Sequence, residues 1–158
     1  MVAAILLTVA LICATVLIHY ECLRFTSALI PRLRLRPQSR MIVVLGSALI
    51  GHTVEIGLYA WGYFIMADTL GLGSIGGEFS GGPLDYFYFS VTTFTTLGIG
   101  DVYAQGYLRL LAGMESLNGL VLIGWSASFT YLSMEKFWES QRQSQPHRPY
   151  FDDGAGSA

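Results

Sequence analysis

Apolar residues run almost unbroken from Val2 to Ile18, from Met41 to Met66 and from Leu108 to Met134. A helix needs about 20 residues to cross a hydrocarbon core of about 30 Å, so each run predicts a membrane-spanning helix. The first run has no basic residue ahead of it and no small-x-small cleavage site after it, which marks a retained span and not a secretory leader. A shorter apolar and aromatic stretch, Leu84 to Thr95, lies between the second and third runs. It is too short to span and predicts a re-entrant helix. Pro83 suits the first turn of that helix, where a missing N–H costs nothing, and Asp85 complements the positive end of its dipole. Gly71 to Gly82 has no core-forming pattern and predicts a flexible external loop.

Composition agrees with this pattern. The 158 residues are 53% hydrophobic and 13% charged, and mean hydropathy is +0.49. A soluble domain carries about 25% charged residues, so the deficit points to an integral membrane protein. Net charge is −2, which favours no nucleic-acid partner. Arg24, Arg32, Arg34, Arg36 and Arg40 fall between the first two spans, and Lys136, Arg142 and Arg148 follow the third. The segment 67–107 holds Asp68, Glu78, Asp85 and Asp101 and no basic residue. Positive charge stays inside, so the first loop and the C-terminus are expected in the cytoplasm and the N-terminus outside. The run Pro31 to Pro37 alternates arginine with apolar residues; it is either a topology anchor or a site of attraction for anionic membrane lipids. Cys13 and Cys22 match no metal or redox spacing and are expected to face lipid or a neighbouring helix.

The segment after the short helix is Thr95-Thr96-Leu97-Gly98-Ile99-Gly100-Asp101. Alternating glycines free the backbone to present carbonyl oxygens where side chains would otherwise point. Non-helical backbone at membrane depth is tolerated only when buried in protein or lining a water-filled path. A short helix aimed into the membrane, then such a backbone, then an acid, is what a cation filter needs. From Ser90 to Asp101, followed by the third span, the chain resembles the pore loop and inner helix of the potassium channel family, whose filter reads Thr-Val-Gly-Tyr-Gly-Asp. The resemblance covers roughly residues 45–134. It implies an all-α membrane protein of three transmembrane helices plus a re-entrant pore helix and filter loop. Its parts would be an N-terminal helix at 1–20, a basic cytoplasmic loop at 21–40, a pore domain at 41–134 and a cytoplasmic tail at 135–158. Within the pore domain the outer helix is expected at 41–66, the pore helix at 84–95, the filter at 96–101 and the inner helix at 108–134.

The resemblance also implies roles. Carbonyls of Thr96, Leu97, Gly98 and Ile99 would coordinate dehydrated potassium ions, with the Thr96 hydroxyl as the innermost ring. Gly98 and Gly100 would supply the backbone dihedrals, and Asp101 would stand at the outer mouth. Ile99 replaces an aromatic residue usual in the family, and Tyr88 and Phe89 are expected to supply an apolar brace instead. Gly119 lies where the inner helix of the family has its hinge; close packing is the other reading. For Gly113 and Gly124 the reading is close packing against a neighbouring helix. Ser116, Leu120, Ile123 and Ala127 share one helix face, and by resemblance that face lines the cavity, with Leu120 and Ile123 as a constriction. One pore loop per chain implies a homotetramer, with the first span on the periphery.

Four polar residues lie inside spans: His52, Glu55, Glu115 and Asn118. At a rise of about 1.5 Å per residue, Glu55 stands about 21 Å from the inner edge and Glu115 about 9 Å from the outer edge, so the carboxyls come out nearly level. His52 and Asn118 come out one turn deeper. These residues are expected to form one buried cluster between spans two and three, as a structural clamp, a protonation-sensitive regulator or an ion relay. His19 and Glu21 are expected to be a solvated pair at the inner edge of span one. No span repeats arginine at every third position, so a voltage sensor is not expected. No metal cluster, cofactor motif, nucleotide loop or nucleophile arrangement is present, so neither an enzyme nor a small-molecule substrate is expected. A weakly selective cation channel, a potassium transporter subunit and a non-conducting accessory subunit are the alternatives.

Overall fold

The computed structural model describes residues 1–33 and 37–143. Helix α1 spans Val2–Leu29 and runs into a 3-10 turn at Ile30–Arg32. Helix α2 spans Pro37–Phe64 and ends in a π turn at Ile65–Thr69. Strand β1 is Ile75–Gly77, helix α3 is Pro83–Phe94, strand β2 is Val102–Ala104 and helix α4 is Leu108–Gln143. Helices α1, α2 and α4 are each long and apolar enough to cross a membrane, and α3 packs between α2 and α4. The fold is the expected all-α membrane protein of three spans with a short helix between the second and third.

Several boundaries differ from expectation. Helix α1 does not stop near residue 20 but runs to Leu29, and α2 begins at Pro37, so helix takes up most of the basic loop expected at 21–40. Glu21 and Arg24 read as the end of a span, yet they pair at 2.8 Å across one turn and continue the helix. Helix α4 runs on to Gln143, so the tail expected from residue 135 begins as helix. Arg34, Arg36 and Arg148, with the rest of the tail from 144 to 158, lie outside the described residues.

Helix α1 is not a loosely attached span. Ala4, Thr8, Leu11, Thr15, His19, Leu23 and Thr26 are its buried residues, spaced three or four apart along one face. That face packs on α2 and α4. Lipid tails are as apolar as leucine, so close approach and polar contacts must hold such helices together. Both occur here. Cys22 donates to the Ser47 carbonyl at 3.3 Å and lies beside Gly51, while Thr26 donates to the Ser47 hydroxyl at 2.8 Å. Cys13 is exposed on the opposite side.

The glycine-rich segment is not the flexible loop expected. β1 pairs antiparallel with β2, with Ile75 opposite Ala104 and Gly77 opposite Val102. A Cβ on Gly77 would stand 1.9 Å from the Asp101 carbonyl oxygen, and one on Gly73 would stand 2.2 Å from that of Gln105. Glycine there serves close approach, which sequence alone does not separate from flexibility. The effect is to clamp the segment leaving α3 at its outer end.

Candidate functional site

Helix α3 begins cleanly because its first turn is capped. The Asp85 carboxylate accepts from the Ser80 hydroxyl at 2.5 Å and from the Gly82 N–H at 3.1 Å. The Ser80 hydroxyl first, then the Gly82 N–H, holds the Asp85 carboxyl below its ordinary range. The Tyr86 hydroxyl donates at 2.9 Å to Asp68 in the π turn, fixing the helix start to the end of α2.

After Phe94 the backbone leaves the helix in an unusual way. Thr96, Gly98 and Gly100 have φ of 59°, 52° and 92°, while the intervening Leu97 and Ile99 do not have positive φ. Thr96 is the one non-glycine residue with positive φ among the described residues. A β-branched residue there is strained, by about 1–3 kcal/mol, and such strain concentrates where function needs it. Two hydrogen bonds hold the path. The Thr96 N–H donates to the Thr93 carbonyl at 3.0 Å, and the Gly98 N–H to that of Thr92 at 3.1 Å. In a trans peptide the C=O points opposite to the N–H, and there is no cis bond among the described residues. The Thr95 and Leu97 carbonyls therefore turn away from α3, toward the open side of the subunit. Thr95 to Gly100 are all exposed there.

The outer end of this run is fixed at Asp101. The Tyr88 hydroxyl donates to its carboxylate at 2.7 Å, the Val102 N–H does so at 3.0 Å, and the Glu78 N–H donates to its main-chain carbonyl at 2.9 Å. The brace expected from Tyr88 and Phe89 is thus polar, not apolar. Only Tyr88 makes it; Phe89 is buried edge-on against Tyr63, ring centres 4.8 Å apart. Nothing in the sequence distinguished a tyrosine that packs from one that donates to an acid thirteen residues away.

The inner end rests on α4. Ser116, expected to line the cavity, donates to the Thr93 carbonyl at 2.9 Å and ties α4 to the last turn of α3. Gly119 lies directly beneath that turn: a Cβ would stand 2.3 Å from the Phe94 carbonyl oxygen. Close packing accounts for this glycine, and α4 is continuous through it. Leu120, Ile123 and Ala127, expected on the cavity face, are exposed. Gly113 and Gly124 have no atom of the subunit within 4 Å of a built Cβ.

The expected cluster of His52, Glu55, Glu115 and Asn118 resolves into three separate groups. Glu115, fully buried, accepts from the Tyr63 hydroxyl and, at 2.6 Å, from Ser90, joining α2, α3 and α4. Asn118 donates to Thr15 at 2.8 Å and Tyr59 at 3.0 Å, joining α4 to α1 and α2. Glu55 meets neither Glu115 nor Asn118. It binds His52 at 2.9 Å and, at the same distance, His19. His19 is 1% exposed, so the expected solvated pair with Glu21 is wrong. Equal depth on α2 and α4 does not bring these residues together, because α1 supplies the partners Thr15 and His19. The spacing of Thr8, Thr15, His19 and Thr26 along α1 was the signal for that polar face.

No curated protein and no solved structure matches the chain. The sequence pattern described as ion channel matches residues 51–136, more than half of the 158 residues, from the middle of α2 through the short helix and on into α4. With the second half of α2, the intervening segment and most of α4 inside that match, the chain belongs to the ion channel family, of the two-transmembrane, potassium-channel type.

Proposed function

We propose that the protein is a potassium-selective channel subunit that conducts passively through a homotetrameric pore. The observation that carries this reading is the backbone of 95–101. Alternate residues take the left-handed region, and the Thr95 and Leu97 carbonyls turn together toward the open side. Carbonyls arranged in rings replace the hydration shell of a cation, and no side-chain ligand is required. By the resemblance the coordinating oxygens are those of Thr96, Leu97, Gly98 and Ile99, with Asp101 at the outer mouth; of these the Leu97 carbonyl is the one whose direction the hydrogen bonds support. One chain supplies one side of such a ring, and closed cyclic symmetry completes it. Four copies, with α2, α3 and α4 nearest the axis, would cover Leu97 and Ile99, which are 63% and 59% exposed on the single subunit. The distribution of arginine supports an N-terminus outside and a C-terminus in the cytoplasm.

A second reading, a weakly selective cation channel, is favoured by one observation: Ile99 offers no hydroxyl to brace the filter. The purified protein in detergent is expected to have the mass of four chains after correction for bound detergent. The same protein in liposomes is expected to release potassium down its gradient when the membrane potential is clamped by a proton carrier. A monomer or dimer that carries the flux would overturn the tetrameric pore, and sealed liposomes at all potentials would overturn the channel.

A further inference from the structure

Glu55, His19, His52 and Ser126 close a ring. The Glu55 carboxylate holds His19 Nδ1 on one oxygen and His52 Nδ1 on the other, each at 2.9 Å. On the far side both Nε2 atoms face one hydroxyl, Ser126 Oγ, at 3.4 Å from His19 and 3.1 Å from His52. The imidazoles stack with centres 5.1 Å apart and planes inclined by 25°. Glu55 is fully buried, and His19 and Ser126 are 1% and 7% exposed. Trp125 closes one side against His19 and Phe94 the other against His52.

Protons can be counted around this ring. A carboxylate only accepts, so both Nδ1 atoms carry hydrogen. If both imidazoles are neutral, two bare Nε2 atoms compete for the single hydrogen of Ser126, and the ring carries one negative charge. With one further proton, one Nε2–H donates to Ser126 Oγ and the Ser126 hydroxyl donates to the other Nε2. Every donor then has an acceptor, and the charge is zero. With two further protons the Ser126 hydrogen has no partner, and the ring is positive. Unpaired polar atoms and net charge are both costly away from water. We infer that the ring Glu55–His19–Ser126–His52 is a proton-binding site that holds one proton shared by its two histidines, and that this proton fastens the inner half of α4 to α1 and α2.

The site rests on the channel reading only for its consequence. Ser126 lies about 27 Å along α4 from Leu108, at a rise of about 1.5 Å per residue, and three residues beyond Ile123. Any displacement of the inner half of α4 relative to α1 and α2 must break its two contacts. When the proton leaves, one contact is lost and α4 is released. His19 belongs to α1, outside the ion channel match at 51–136, so the additional span contributes half of the imidazole pair. Other titratable groups near Glu55 are Cys22 on α1 and Tyr59 on α2, the latter also within reach of Glu115 on α4; α3 presents Phe94. None of these enters the ring. His19, His52 and Glu55 also bring three ligand atoms within 4.8 Å of one another. A metal there would have to displace both Nδ1 hydrogens, whereas 2.9 Å suits an N–H donated to a carboxylate.

The test is 15N spectroscopy of histidine-labelled protein in lipid bilayers, with His147→Gln to remove the third imidazole. The spectrum separates N–H from bare ring nitrogen. At neutral pH three N–H and one bare nitrogen are expected over the two rings. Between about pH 5 and 9, bracketing the ordinary histidine range, one step common to both histidines should lead to two and two. Ser126→Ala should abolish the common step and Ser126→Thr should restore it. Open probability in single-channel records should change across the same step in wild type and lose that dependence in Ser126→Ala. Two bare nitrogens at every pH, independent titration of the histidines, or a pH response unaltered by Ser126→Ala would overturn the proposal. So would displacement of the Nδ1 hydrogens by one equivalent of Zn²⁺, which would make the ring a metal centre. The spectroscopic arm does not depend on conduction, so its failure is separable from failure of the channel reading.

Discussion

Replacing Gly119 with alanine separates two accounts of the inner helix. In the structure the new Cβ would lie 2.3 Å from the Phe94 carbonyl oxygen and 3.0 Å from its carbon. Ordinary contact begins near 3.4 Å, so α4 must retreat from the end of α3 by about 1 Å. The obstacle is backbone and cannot rotate away. Overpacking of this kind costs about 1–3 kcal/mol, here in every subunit. The same retreat stretches the bond from Ser116 to the Thr93 carbonyl, which also anchors the Thr96 N–H. A packing glycine therefore predicts two losses together: a lower melting temperature of the detergent-solubilised oligomer and reduced unitary conductance. A hinge glycine predicts neither. Alanine would only stiffen the bend, altering open probability at unchanged melting temperature and conductance. Gly113→Ala is the control, because nothing in the subunit lies within 4 Å of its built Cβ. If Gly119→Ala melts and conducts like wild type while its open probability changes, the packing account is refuted.

Gly98→Ala is expected to abolish potassium conduction with membrane insertion and oligomer mass retained, because φ of 52° costs an L residue about 1–2 kcal/mol while the Cβ itself meets nothing; bilayer recording and detergent-corrected mass check it. Glu115→Ala leaves the Tyr63 hydroxyl without its buried acceptor, while Ser90 keeps the Ile56 carbonyl at 2.9 Å, and should destabilise by about 1–3 kcal/mol, whereas Glu115→Gln keeps a carbonyl oxygen and should lose less than half of that, as read by thermal melting. Tyr88→Phe removes the donor to Asp101 and should shorten the time for which the pore sustains current, with no change in melting temperature.

The three long apolar helices, the short helix between the last two and the positive-φ backbone of 95–101 were legible because each leaves a local mark: run length, a proline at a helix start, alternating glycines. What was not legible depends on contacts distant in sequence. Glu21 and Arg24 suggest a helix end only if the bilayer surface is taken as the helix limit; α1 continues past it. Gly73 and Gly77 read as flexible until the Gln105 and Asp101 carbonyls are seen against them. Glu55 and Glu115 come out level in depth, yet depth fixes one coordinate of three. Rotation of the helices sends Glu115 to α3 and Glu55 to α1. His19 was misplaced for the same reason, since a histidine at the end of an apolar run is indistinguishable from an interfacial one until its helix face is known.

The central claim is that the carbonyls of 96–99 select potassium. It is tested most directly by the reversal potential of purified protein in a planar bilayer, with potassium on one side and sodium at equal concentration on the other. Each tenfold in permeability ratio moves the reversal of a monovalent current by about 59 mV. The account predicts a reversal displaced by more than one such step in the direction that favours potassium. A reversal within a few millivolts of zero would contradict it, and would leave a cation pore in which Ile99 fails to hold the filter to the size of the ion.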